Sequence, residues 1–302
     1  MAPSSAMSIL AGISSSRSIT AAVEAGAAGV GLVRTELLFP GATMEPGIEP
    51  QTATYMRIMR AFPSRPVIFR TWDPAPDKSL PFLASTALNV QPNDWSWRGI
   101  RCYSGRPGVL DRQLGCIRRA ADECDADVSV IAPMVATLDE AQCFVARARI
   151  LGLERAGIMI EVPAMALMLE EVLGIVDLVA IGLVDLAQYT FAANRESLEM
   201  RHYLEPWQPA LVKLLKRIAD ACGKAAVPAG VCGIRRDEIG LLAVLQGLSF
   251  DSVTLPSPRI EEARRWLRSL TPERSKAAAD AALSAETPLE ARARVAAVLE
   301  AA

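Results

Sequence analysis

Short apolar runs punctuate the chain, and the stretches between them repeat apolar positions at helical spacing. The runs fall at 7–11 (MSILA), 29–33 (GVGLV), 66–69 (PVIF), 128–132 (VSVIA), 157–160 (GIMI), 178–181 (LVAI), 227–231 (VPAGV) and 252–255 (SVTL). Each predicts a short apolar strand. Helices are predicted at 18–25, in a segment ending near Phe62, and at 110–123, 138–151, 163–173, 206–222, 238–246 and 260–270. Gly26 follows the first of these, as a C-terminal glycine should, and Pro163 opens another at a tolerated position. Strand–helix alternation repeated eight times predicts an α/β fold, a single (β/α)8 TIM barrel over residues 1–270. Residues 271–302, Ala-rich and charged, predict a C-terminal helical extension of one or two exposed helices on or near the barrel. An open doubly wound sheet is the competing architecture. It usually carries a Gly-rich phosphate loop after its first strand, and none is written here.

Two segments do not fit the alternation. Residues 71–82, TWDPAPDKSLPF, hold three prolines with Asp73, Asp77 and Lys78, too long and polar for a plain connection, so a functional loop or lid is expected. Residues 84–105 read as irregular and contain Trp95, Trp97, Arg98 and Arg101.

Composition narrows the function classes. Over 302 residues, 51% are hydrophobic, enough for a large core, and the net charge of −2 supplies no global field for nucleic acid. Cys102, Cys116, Cys124, Cys143, Cys222 and Cys232 form no CxxC pair and are expected as reduced thiols. Neither a signal peptide nor a membrane span is expected, which makes a cytoplasmic protein the expectation. His202 is the single histidine, so a multi-histidine metal site is excluded; it reads as a surface residue.

Chemistry gathers at the predicted strand ends. Arg34 follows the second strand and Arg70 ends the third. Glu161 ends the fifth, Asp185 follows the sixth, and Cys232 ends the seventh. In a barrel these positions converge on one rim. Glu161 and Asp185 can hold a hard divalent cation, the arginine forks suit phosphate or carboxylate oxygens, and a thiol can move a proton. Together they suggest a small phosphorylated or dicarboxylic acid and a developing enolate. The duller reading pairs the two acids with Arg34 and Arg70 and makes Cys232 a core filler.

The segments GAAGVGLVRTELLF, VIFRTWDPAPDKSLPFL, WRGIR, APMVATLDEAQ, GIMIEVPAMALM, IGLVDLAQYTFAANR and AGVCG resemble the phosphoenolpyruvate (PEP)-binding barrel of the PEP-utilising enzymes. That family includes enzyme I of the sugar phosphotransferase system, pyruvate phosphate dikinase and PEP synthase. The resemblance covers about residues 8–270. It implies that Arg34, Arg70 and Arg98 grip the phosphate and nearby oxygens of PEP and that Arg195 contacts its carboxylate region. It implies Glu161 and Asp185 as ligands of Mg2+, or Mn2+ in its place, and Cys232 as the thiol exchanging a proton at C3. A homodimer is implied likewise.

The chain departs from the family pattern at three places. Leu183-Val184-Asp185 stands where Thr-Asn-Asp is usual, so a polar contact to PEP becomes the apolar Val184. PAPDK replaces Gly-Gly-Asp-Lys, and Arg235 and Arg236 follow Gly233 and Ile234, where a second anionic group could bind. A phosphohistidine domain is also expected to be missing. These departures put first an enzyme that binds PEP or pyruvate and diverts the enolpyruvate to hydrolysis, proton transfer or condensation with an acceptor. A phosphotransferase barrel serving a histidine on a separate chain is the second expectation. A non-catalytic PEP-sensing barrel is the third.

Overall fold

The computed structural model describes residues 7–75, 78–83, 96–234 and 238–301. Asp77, Trp95, Arg235 and Arg236, singled out above, lie outside the described residues. Eight parallel strands close into a barrel in chain order: β1 (Ser8–Ile13), β2 (Val30–Arg34), β3 (Pro66–Arg70), β4 (Asp127–Ala132), β5 (Ala156–Ile160), β6 (Val179–Gly182), β7 (Ala229–Cys232) and β8 (Ser252–Leu255). β1 pairs with β8, Ser8 opposite Ser252 through Ala11 opposite Leu255, which seals the ring and leaves no edge strand.

Helices wrap the ring: α1 (Ser16–Glu24), α2 (Ile48–Ala61), α3 (Pro107–Asp122), α4 (Leu138–Ile150), α5 (Pro163–Leu167), α6 (Leu169–Val172), α7 (Leu183–Thr190), α8 (Pro209–Ala225), α9 (Ile239–Gly247), α10 (Ile260–Arg268), α11 (Pro272–Leu283) and α12 (Pro288–Glu300). Alternate strand residues such as Val67, Phe69, Val253 and Leu255 face this shell and join its large apolar core. The other set, including Ile68, Ile131, Met159 and Ala180, turns into the barrel and packs as a separate cluster. Starts are fixed locally. Ser15 with Ser18 caps α1 and Thr137 with Glu140 caps α4, each bond pair satisfying amides that the helix leaves open.

Three expectations change. The helix predicted at 163–173 is broken at Met168, where backbone angles of −100° and 22° separate α5 from α6. The segment after β6, read as a loop, begins with α7, which follows Gly182 without a connecting residue. The last two helices are not merely exposed: Ala278, Ala279, Ala282, Ala291 and Val295 are buried, and α11 packs along α9. Alanine's small side chain hid that face from a reading based on bulky apolar residues. Among the described residues the six cysteines are free, and no helix is long and apolar enough to cross a membrane.

Candidate active site

Parallel strands deliver their last residues to one face, and here those residues are charged. Arg34 closes β2, Arg70 closes β3, Glu161 follows β5 and Cys232 closes β7. Asp185 sits in the first turn of α7, and Arg195 lies just beyond that helix. A cavity of about 430 Å³ opens among them, lined by Arg34, Arg70, Lys78, Glu161, Val184, Asp185, Arg195 and Cys232.

The walls are a continuous ionic network. Arg70 bonds Glu36 and lies 3.2 Å from Asp73 and 3.7 Å from Glu161. Lys78 reaches Glu36 at 3.2 Å and Asp73 at 2.5 Å, which ties it to the turn after β2 and to the residue three past the end of β3. Arg34 joins through Glu36 at 3.2 Å. Asp185 accepts from Arg195 at 2.9 Å, and the amide of Arg195 donates to Gln188 at 3.0 Å. Burial makes these contacts matter, because Glu36, Arg70, Asp73 and Lys78 are all shielded from water.

Arg98 is placed differently from its expected role. Its guanidinium does not line the cavity. It stands behind Asp185, fully buried, bonding Asp185 at 2.8 and 3.2 Å and Asp73 at 3.2 and 2.7 Å. It thus ties the loop after β3 to α7. A strand-end or motif position alone could not reveal this, because Arg98 belongs to neither a strand nor a helix. Glu36, Asp73 and Lys78 are network members whose roles the sequence reading left unassigned. Their only signal was position, Glu36 in the turn after β2 and the other two in the long polar loop.

The two metal-type carboxylates have opposite environments. Burial pushes Glu161 up, Asp185 and Asp73 add to this, and Arg70 offsets only part, so its carboxyl rises to about 8. Burial also acts on Asp185, but Arg98 and then Arg195 outweigh it and hold that carboxyl below its ordinary value. Glu161 Oε2 accepts the amide of Met134 at 2.9 Å. Its side chain fits only because Gly182 lies beside it: a Cβ there would stand 2.7 Å from Glu161 Cγ and Oε1. Burial first, then Glu161, pushes the Cys232 thiol up to about 12. Its Sγ lies 3.3 Å from the Ile181 carbonyl, to which it donates. Among the described residues no group of three or more His, Cys, Asp and Glu side chains is arranged to hold a metal ion.

With the geometry in place, comparison with known proteins identifies the family. The family described as PEP-utilising enzyme, PEP-binding domain, matches residues 1–271. The chain belongs to this family. A phosphoenolpyruvate-protein phosphotransferase of Streptomyces coelicolor is 37% identical over 298 residues, 96% of this chain and 52% of that protein. Another from Staphylococcus carnosus is 30% identical over 298 residues, 93% of this chain and 51% of that protein. Multiphosphoryl transfer protein 1 of Escherichia coli is 32% identical over 261 residues, 82% of this chain and 31% of that protein. This PEP-binding domain therefore spans about half the length, or less, of these relatives. Its matched region takes in all eight strands and every residue of the ionic network.

Proposed function

We propose that this chain binds PEP together with a divalent cation and interconverts PEP with the enolate of pyruvate, passing the phosphoryl group to an acceptor. One observation carries the proposal. A single cavity is lined by the cations Arg34, Arg70, Lys78 and Arg195, the carboxylates Glu161 and Asp185, and the thiol of Cys232. Guanidinium forks fit phosphate and carboxylate oxygens, and the ammonium of Lys78, held by Glu36 and Asp73, adds a fixed positive charge. Glu161 and Asp185 would hold Mg2+ or Mn2+. Hard oxygen donors suit either ion, and the buried carboxyl of Glu161, raised to about 8 beside Asp185, fits a place built to face added positive charge. When bound, the cation supplies Lewis-acid stabilisation of enolate and phosphoryl oxygens.

The remaining chemistry belongs to the chain's own groups. Arg34, Arg70, Lys78 and Arg195 hold the anionic oxygens. As the acceptor takes the phosphoryl group, the enol P–O bond breaks and pyruvate enolate remains. Cys232 gives its proton to C3: the S–H bond breaks, a C–H bond forms and pyruvate results. Arg98 acts as a positioning residue through Asp185. The names of the relatives support a protein as acceptor; a histidine on a domain or chain other than the barrel is the acceptor that the family resemblance implies.

A second reading diverts the enolate to water or to another acceptor, and Val184 favours it. This apolar side chain lines the cavity where a polar contact would steer the substrate. Phosphorus NMR of PEP with Mg2+ and candidate acceptors separates the readings. Label on a partner histidine supports the first, and free phosphate or a new phosphorus–carbon signal supports the second. PEP binding that ignores Mg2+ would sink both.

A further inference from the structure

The barrel interior is unevenly filled. Leu32, Ile68, Ile131, Met159, Leu178 and Ala180 pack into a compact cluster that reaches Cys232. Elsewhere β1, β2, β7 and β8 contribute small or hydroxylic residues, among them Gly31, Gly230, Ser252 and Thr254, and leave a second cavity of about 320 Å³. The small residues are required. A Cβ on Gly31 would stand 2.1 Å from Thr254 Oγ1, and one on Gly230 would stand 2.4 Å from Ser252 Oγ. This cavity reaches Ser8, Pro66, Pro228 and Asp251, which stand at or just before strand starts, so it faces the end of the barrel opposite the candidate active site.

The two cavities share two wall residues, Cys232 and Thr254. The lining of the lower cavity is mainly apolar, with Leu10, Ile68, Leu178 and Ala180, but hydroxyls and the charged Arg155 and Asp251 also line it. The hydroxyls of Ser129, Ser252 and Thr254 line it, and among the described residues none of the three has a protein partner. Ser129 is 3% exposed and lines this space. An apolar void of this size stays dry, whereas one offering several unpaired hydroxyls holds water.

We propose that the lower cavity is a hydrated inlet through which Cys232 exchanges its proton with solvent at the N-terminal end of the barrel. The proposal rests on the reading of Cys232 as the proton carrier at C3. In the upper cavity, bound substrate stands between the thiol and the active-site mouth. After the thiol protonates C3, the thiolate takes a proton from an inlet water, and the water chain takes one from bulk solvent. The reverse sequence releases a proton abstracted from pyruvate. The substrate therefore need not leave before the thiol is reset.

Deuterium washout tests this on the full chain. The enzyme, Mg2+, inorganic phosphate and pyruvate bearing a trideuterated methyl group are mixed in H2O, and deuterium loss is followed by NMR. Ser129→Leu fills the inlet with apolar bulk and is expected to slow washout at least about fivefold at unchanged PEP affinity, with Ser129→Thr restoring it. Wild-type washout in a folded Ser129→Leu variant overturns the inlet. Should leucine prevent folding, the double variant Ser129→Val with Ser252→Val removes two hydroxyls with little added volume. Undiminished washout there overturns the inlet equally. Cys232→Ala distinguishes the underlying reading: washout that survives this change removes the thiol from the mechanism and the inlet with it. Washout lost in Cys232→Ala but unchanged in the serine variants keeps the thiol and rejects the inlet.

Discussion

Arg98→Ala would remove the guanidinium that joins the loop after β3 to α7. The side chain is 2% exposed and bonds Asp73 at 3.2 and 2.7 Å and Asp185 at 2.8 and 3.2 Å. Removing one partner of a buried pair costs ~3–5 kcal/mol, because the other charge stays buried. Here each acid keeps a cation: Asp73 retains Lys78 and Arg70, and Asp185 retains Arg195. The low end, ~3 kcal/mol, therefore applies. With an unfolding entropy of ~2.1 cal/mol/K per residue over 302 residues, that loss lowers the melting temperature by about 5 °C.

The pH dependence has a definite sign. Burial alone would raise both carboxyls. Lys78, Arg70 and Arg98 outweigh it at Asp73, and Arg98 with Arg195 outweighs it at Asp185, so both lie below the ordinary 3.8. Their stabilising contribution is present above about pH 4 and is lost as acid protonates them. The Arg98→Ala deficit should therefore be full at pH 7 and shrink below about pH 4. Calorimetry of both proteins across that range measures it. A deficit under about 1 °C at neutral pH, or one that grows in acid, would refute the assignment of Arg98 as the tie. Arg98→Lys should recover only part of the loss, since an ammonium cannot engage two carboxylates bidentately.

Three further outcomes test other parts of the site. Divalent-cation affinity should climb as pH rises toward 8 and level off above it, because Glu161 must lose a proton first; calorimetry in buffers of different ionisation enthalpy should detect proton release near pH 7, and its absence separates Glu161 from the cation. Without cation, the stability contributed by Glu161 is full below about pH 4.5 and fades as pH rises through about 8. Gly182→Ala should displace the Glu161 side chain, weakening cation binding at least about tenfold and costing ~1–3 kcal/mol of stability; unchanged cation affinity would show that Glu161 is not a ligand. Iodoacetamide at pH 8 should alkylate the exposed Cys143 well before the buried Cys232, whose thiol lies near 12; comparable rates by mass spectrometry would contradict the environment assigned to Cys232.

The barrel was legible because short apolar runs cannot be long helices and their spacing leaves room for crossovers. The rim was legible because Arg70, Glu161 and Cys232 stand where strands end, and position in a parallel barrel sets direction. The pairing among these groups was not legible. Arg98 lies on irregular backbone, and only tertiary packing brings it between Asp73 and Asp185. Helix α7 was missed because its start follows Gly182 directly, with no cap residue or polar break to mark it. The lower cavity was equally hidden. Apolar periodicity locates filled space, and a cavity is written as small residues on four strands distant in sequence.

The charge in the cluster explains why two ligands belong together on the proposed reading. Arg34, Arg70, Lys78, Arg98 and Arg195 bring five positive charges to Glu36, Asp73, Glu161 and Asp185. With Glu161 protonated at neutral pH, three carboxylates remain charged and the cluster carries an excess of about two. A dication that ionises Glu161 raises the excess to about three, matching a carboxylate beside a doubly ionised phosphate. The substrate alone meets too little positive charge, and the cation alone meets a rim already rich in arginine. Each ligand completes the electrostatic setting of the other, and thermodynamic linkage makes that preference reciprocal.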